Sequence, residues 1–143
     1  ARAAADALSG EHDFHNLTPD DEGTVRDLST DVLRDGDHLV VTLRAGGFAR
    51  NLVRRVVSLV QAVATGDAPT SKIERVLSPE PLDGPEGVEP APAHPLVLTD
   101  VGYNLDFDVD EEAAASAGEV FDDLRAERAT GARVAGEITE RVR

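Results

Sequence analysis

Cysteine is absent from this 143-residue chain, which excludes a disulfide framework, thiolate catalysis and any cysteine-based zinc site. Aromatic residues make up only 3%, so a core has to be assembled mostly from Val, Leu and Ala. Lysine occurs once, at Lys72, and 14 basic residues face 28 acidic ones. Such an acid-rich, lysine-poor surface fits a salt-loving cell, where molar salt shortens the screening distance to about 3 Å. No apolar run approaches the roughly 20 residues needed to span a bilayer, and the cytoplasm is the expected location. The length suits one domain that buries about two thirds of its unfolded surface. Opening at Ala1 in a helical pattern without methionine, the chain reads as a fragment of something longer.

Acidic residues themselves vanish from one stretch. Residues 38–66 contain no Asp or Glu but hold Arg44, Arg50, Arg54 and Arg55, leaving the rest of the chain four charges more negative than the overall −14. Keeping carboxylates out of one segment points to an anion-facing site. At about 100° per residue, Leu52, Val53, Val56, Val57, Val60, Val63 and Ala64 form one stripe of an amphipathic helix. Arg50 and Arg54 fall one turn apart on the opposite side with Gln61, and Arg55 and Ser58 extend that polar face. Two arginines so placed without an acidic partner repel by about a few tenths of a kcal/mol; an ordinary solvated face is the competing reading. The overall negative charge is weak evidence against nucleic acid, because counterion release contributes little at molar salt. Binding there would rest on local arginines, hydrogen bonds and stacking.

Elsewhere, residues 1–9 predict a short helix stopped by Gly10, and 11–23 a loop with Thr18-Pro19-Asp20-Asp21 as its turn. Partial alternation over 25–33, the turn Arg34-Asp35-Gly36-Asp37, and the apolar run 39–43 predict a β-hairpin. Gly46-Gly47 then lead into the central helix, which Gly66 ends. Ser71-x-x-Glu74 fits a capping box for a short helix through Leu77. Residues 78–95 are too rich in Pro, Gly and Glu to be regular. Leu96, Leu98 and Val101 predict a strand over 96–101. The 110–142 region predicts one broken helix or two, weakened by Gly131 and Gly136. Without repeats or βαβ alternation, the expected fold is α+β, an antiparallel sheet flanked by helices. Residues 1–109 are expected to form the main domain, with 110–143 a helical extension.

Glu11, His12, Asp13 and His15 are metal-capable neighbours, but ligands must converge from fixed elements and one loop rarely supplies that, so no metal site is expected. Gly46-Gly47 lacks the further glycines and lysine of a nucleotide-binding loop. Asp106-x-Asp108-x-Asp110-x-Glu112 lacks the glycine and distal glutamate of a calcium loop and reads as a solvated acidic face.

Gly46-Gly47-Phe48-x-x-x-Leu52-Val53-Arg54-Arg55-Val56-Val57 resembles the Phe-x-x-x-Met-Val-Arg motif that opens a helix in TruA-type tRNA pseudouridine synthases. Ala3-Ala4 through Leu8 and Gly10-Glu11-His12-Asp13-Phe14 are similar to that family's Ala-Ala…Leu-x-Gly-Glu-His-Asp-Phe block. Ala91-Pro92-Ala93-His94-Pro95-Leu96-Val97-Leu98 with Val101-Gly102-Tyr103 resembles its Ala-Pro-Ala-x-Gly-Leu-x-Leu…Val-x-Tyr block. Together the three blocks, in order, cover residues 1–103.

The resemblance implies a pseudouridine synthase-like half and a cofactor-free isomerisation of uridine in the tRNA anticodon arm. The base is flipped out, detached at N1 from its ribose, rotated and rejoined through C5. A carboxylate nucleophile is needed, with a cation to orient it or hold a phosphate. By the motif match, Arg54 pairs with the catalytic aspartate, and Leu96 packs at the pocket floor beside the target base, with Pro95 where the family has glycine. Arg50, Arg55 and Arg44 are expected RNA contacts, a solvated arginine being the alternative for each. The loop at Phe14 packs near the cleft. The family's Gly-Arg-Thr-Asp-x-Gly motif and active-site tyrosine are absent, Tyr103 matching a strand-end tyrosine instead. The chain is thus expected to be the C-terminal half of a synthase, inactive alone, with tRNA as partner, a homodimer in the complete enzyme, and no membrane association. The rivals are a non-catalytic RNA-binding or assembly module, and an oligomerisation domain whose arginines meet another subunit's acidic surface.

Overall fold

In the computed structural model, which describes residues 1–143, two units are distinguished, Ala1–Leu98 and Thr99–Arg143. The first runs α1 (Arg2–Ala7), β1 (Gly10–Asp13), a 3-10 turn (His15–Leu17), β2 (Val25–Asp35), β3 (His38–Arg44), α2 (Leu52–Thr65), α3 (Ser71–Val76) and a second 3-10 turn (Gly84–Glu86). The second contains α4 (Glu111–Val142). The architecture is the expected α+β arrangement, a three-stranded antiparallel sheet in the order β1-β2-β3 with flanking helices.

The hairpin forms where the alternation and the Asp-Gly signal place it. Strands β2 and β3 pair from Ser29↔Arg44 to Asp35↔His38, leaving Gly36 and Asp37 as a two-residue loop. Gly36, at φ +57, supplies the positive dihedral a type II′ loop needs first. The stretch expected as a loop over 11–23 holds more order than its polar sequence predicts. Gly10, at φ +96, turns the chain out of α1, and Gly10–Asp13 then pairs with the first part of β2, Gly10↔Leu28 to Asp13↔Val25. Four residues carry too little alternation to announce a strand; the neighbouring edge orders them.

Period-two spacing sends Leu28 and Val32 of β2 into the core, where they meet Ala4, Ala5 and Leu8 around α1, Phe14 and Leu17 around the first 3-10 turn, Leu52, Val56, Leu59 and Val60 of α2, and Ile73 and Val76 of α3. Phe14 is the one aromatic ring buried there. Each buried Val, Leu, Ile or Phe side chain there contributes about 1.5–3 kcal/mol on burial. Polar ties fix α1 to β2: Thr30 donates through Oγ1 to the Ala5 carbonyl (2.8 Å) and through its N–H to Ser9 Oγ (3.2 Å), and Arg2 Nη2 donates to the Val32 carbonyl (3.1 Å).

Helix α2 begins at Leu52, so Arg50 precedes it and does not share a helical face with Arg54. Its buried stripe is turned towards Leu59; Val53, Val57 and Val63 are half-buried and Ala64 is exposed. Gly66, at φ +85, ends it as expected. The Ser71 capping box does not form. Thr70 is the N-cap, without a side-chain bond, and the Lys72 and Ile73 N–H groups close the start on the Pro69 and Thr70 carbonyls (2.9 and 3.1 Å).

The connector after α3 is irregular apart from its 3-10 turn, yet it is stapled down. Asn16 Nδ2 donates to the carbonyls of Val76 (3.0 Å), Ser78 (3.4 Å) and Glu80 (3.1 Å), and Asn16 Oδ1 accepts from the Leu82 N–H (2.8 Å). Arg75 adds bonds to the Glu80 and Pro81 carbonyls and an ion pair with Glu86, all at 3.0 Å, and Lys72 Nζ reaches the Glu86 carbonyl.

The strand expected over 96–101 is not formed, and Leu96 and Leu98 are exposed. Alternation makes a strand only where a sheet edge takes up the backbone N–H and C=O groups, and no edge of this chain does so. In the second unit, α4 is one unbroken helix, although Gly131 and Gly136 each cost about 1 kcal/mol relative to Ala. Asp110 caps it, Oδ1 accepting from the Ala113 N–H at 3.0 Å, and none of its residues is buried. The two units divide between Leu98 and Thr99, and α4 starts at Glu111. No helix is long and apolar enough to cross a membrane.

Candidate functional site

The acid-free segment leaves β3 at Arg44, crosses Gly46 and Gly47, and enters α2 through Ala49, Arg50 and Asn51. Ala49 is buried and its carbonyl accepts the Leu52 N–H (3.1 Å), which fixes the turn into the helix. Asn51 is the one non-glycine residue with positive φ (+62). Asn tolerates the left-handed region better than most side chains. An N-cap Asn ordinarily accepts a bond from the helix backbone. Here the left-handed turn redirects its side chain, and Oδ1 accepts from Arg54 Nη1 at 3.3 Å instead.

Arg54 is held at three points. Its Nε donates to the Ala91 carbonyl (2.6 Å), its own carbonyl accepts the Ala91 N–H (3.1 Å), and Nη1 leans on Asn51. The reciprocal pair fastens the Ala-Pro-Ala block to the first turn of α2, so two stretches 37 residues apart meet at one guanidinium. Of its five N–H donors, three stay free, and with Nε occupied the open approach is along Nη1 and Nη2. A carboxylate or phosphate can be bound bidentately from that end. Arg54 takes part in none of the chain's four ion pairs.

The other arginines differ. Arg50 is not unpartnered: its N–H donates to Asp20 Oδ2 (2.8 Å), its Nε to Oδ1 (3.1 Å), and Nη2 lies 3.0 Å from Oδ1. The backbone N–H of Arg50, more than its charge, holds the Asp20 carboxyl below the usual range. The cluster thus has an acidic partner from outside the acid-free segment, which the sequence reading did not supply. Arg44 stands exposed at the end of β3, opposite Ser29. Arg55 is half-buried, facing a different side of α2 from Arg54. Leu96 closes the Ala93–Leu96 turn, its N–H donating to the Ala93 carbonyl (3.1 Å), and is half-exposed. Pro95 sits inside that turn.

The metal-capable neighbours separate by strand alternation. Glu11 and Asp13 face solvent, His12 Nε2 bonds the Ser9 carbonyl (3.0 Å), and Asp13 Oδ1 accepts the His15 N–H (3.1 Å). No group of three or more His, Asp or Glu side chains converges. Asn51, Asp20 and the Ala91 carbonyl escaped the sequence reading. The available signals were an Asn immediately before the helix and an Asp in a Thr-Pro turn.

The sequence profile of a family described as tRNA pseudouridine synthase matches residues 4–104, which takes in all three motif blocks but for Ala3. The tRNA pseudouridine synthase A of Haloarcula marismortui is 60% identical over 138 residues, 96% of this chain and 50% of the relative. That of Natronomonas pharaonis is 54% identical over 97% of this chain and 52% of the relative, and that of Methanothrix thermoacetophila 33% identical over 99% and 53%. The chain spans about half the length of the curated relatives it matches. The first two come from halophilic archaea, the habitat read from the acid-rich composition. On the matched profile and these identities, the chain belongs to the TruA-type tRNA pseudouridine synthase family.

Proposed function

We propose that this chain forms one wall of the active site of an enzyme that converts uridine to pseudouridine in the tRNA anticodon arm. The catalytic aspartate would come from sequence outside these 143 residues. Residues 1–109 are the catalytic-fold part and 110–143 a helical extension. The observation that carries the reading is Arg54: unpaired in the chain, clasped to Ala91 through Nε, and open along Nη1 and Nη2. An arginine fixed in this way is suited to hold a carboxylate in one orientation while it attacks.

In the reaction the glycosidic bond between N1 and the ribose C1′ breaks, the base rotates, C5 bonds to C1′, and the C5 hydrogen leaves as a proton while N1 gains one. Arg54 orients the nucleophile, and Leu96, on the segment Arg54 clasps, packs against the flipped base. Arg50, Arg55 and Arg44 contact the RNA backbone, and the complete enzyme is a homodimer.

The test is Arg54→Ala in the full-length protein, assayed by release of tritium from C5-labelled uridine in tRNA. Losing the orienting cation should lower kcat/KM by roughly 10²-fold or more with the circular dichroism spectrum unchanged. Near-normal turnover refutes the role of Arg54. Tight tRNA binding without C5 hydrogen release from the wild-type protein would leave an RNA-binding module instead.

A further inference from the structure

A cavity of about 360 Å³ is lined by His15, Asn16, Thr18, Arg55, Leu82 and Glu89 among others. Its unusual property is unmatched donor capacity. Arg55 Nε is sealed from solvent without a protein hydrogen-bond partner, and so are both ring nitrogens of His15. Arg55 donates no side-chain hydrogen bond and joins no ion pair, although the chain carries 28 carboxylates. Glu89 lines the same cavity yet does not pair with it. Asp13 Oδ1 lies 3.4 Å from His15 Nδ1 without forming a hydrogen bond to it. Leaving a buried donor unmatched costs about 1–3 kcal/mol, more for a charged group. The walls that hold these donors are rigid, because Asn16 pins the connector at four backbone groups.

We propose that this cavity binds a phosphate group, which accepts hydrogen bonds from the Arg55 guanidinium and the His15 ring. Planar guanidinium donors match phosphate oxygens, and the cavity has room for a phosphodiester with part of its sugar. Under the function proposed above, the natural source is the tRNA backbone, contacted one helix position beyond the residue that orients the nucleophile. A mononucleotide or free phosphate has the same chemistry. The phosphate site itself does not depend on the catalytic reading.

Inorganic phosphate is titrated into the full-length protein in KCl, with the His15 imidazole followed by nitrogen-15 NMR. A labelled tRNA transcript is titrated separately at several salt concentrations. Phosphate should move the His15 resonances, and Arg55→Gln should weaken its binding roughly tenfold or more, the worth of a charge-assisted hydrogen bond. Because Arg55 has no partner to lose, the variant should melt no lower than wild type; a lower melting temperature would mark Arg55 as structural and overturn the proposal. If tRNA binding weakens in step and the slope of log K against log salt falls by about one, the phosphate is a backbone phosphodiester. If phosphate binding weakens while tRNA binding is unchanged, the site takes a free phosphate or mononucleotide. If phosphate leaves His15 unmoved, or binds Arg55→Gln as well as wild type, the cavity holds no phosphate site and the proposal fails. None of these results depends on turnover, so a failure here is distinct from a failure of Arg54.

Discussion

Asn51 does two separable things, one for the backbone and one for Arg54, and three substitutions pull them apart. At φ +62 it occupies the left-handed region, which costs an ordinary L-residue about 1–2 kcal/mol. Its side chain also accepts from Arg54 Nη1 at 3.3 Å, a bond near the long limit and so worth about 0.5 kcal/mol. Asn51→Ala meets both losses, and stability should fall by about 1.5–2.5 kcal/mol. Asn51→Gly removes the dihedral cost but frees the unfolded chain, so the terms offset to within about 0.5 kcal/mol of wild type. Both variants release Nη1, and kcat/KM should drop about 2- to 10-fold, the equivalent of one neutral hydrogen bond. Asn51→Asp places a carboxylate against Arg54 in competition with the substrate-side anion. Its activity should fall further than that of Asn51→Gly while its fold holds. Stability is read from urea denaturation in molar KCl and activity from C5 hydrogen release. If Asn51→Ala proves as stable as Asn51→Gly, the left-handed turn is not held in solution. Full activity in Asn51→Gly refutes the orienting bond.

Two further outcomes follow from the ties that bring loops to this site. Because the Asp20 carboxyl is held below its ordinary value of 3.8, the stability it contributes is present above that pH and lost as pH falls through the lower folded value. Asp20→Asn should therefore be less stable than wild type near neutrality and converge with it on acidification below about pH 4; parallel pH profiles would refute the clamp on Arg50. Asn16→Ala removes an amide whose two N–H groups are shared among three carbonyls and whose oxygen accepts one bond, some of them partly solvated, and should cost about 1–3 kcal/mol. The Leu82 amide, which loses its acceptor, should exchange faster with solvent; unchanged exchange there refutes the staple.

The parts of the fold legible in the sequence are those in which one local rule acts alone. The hairpin was legible because alternation over 25–43 and a glycine able to take φ +57 agree on one register. Helix α2 was legible in extent, since its period and Gly66 agree, but its inward face was set by what surrounds it, which brought Leu59 inside and left Ala64 out. Strand β1 and the missing 96–101 strand are the same lesson with opposite signs. Gly10–Asp13 has almost no pattern and is a strand because β2 lies beside it; residues 96–101 have the pattern and no edge to join.

The site divides along a similar line. Arg54 was legible because a motif and an acid-free segment both single it out, whereas what holds it in place is written in backbone atoms, the carbonyl and N–H of Ala91, which no side-chain pattern can display. Counting charges within a segment also misjudged Arg50, because its partner Asp20 lies 30 residues upstream and is brought back by the 3-10 turn and the Thr18 turn before it. Arg55 is the converse. The sequence gives it the same weight as Arg50, yet folding leaves it half-buried with no partner. A half-buried guanidinium without a partner is a costlier arrangement than an exposed one. Arg54 and Arg55, neither of them in an ion pair, stand in adjacent positions on the first turn of α2. Under the two proposals made above, a single helix start would address both a carboxylate, through Arg54, and a phosphate, through Arg55.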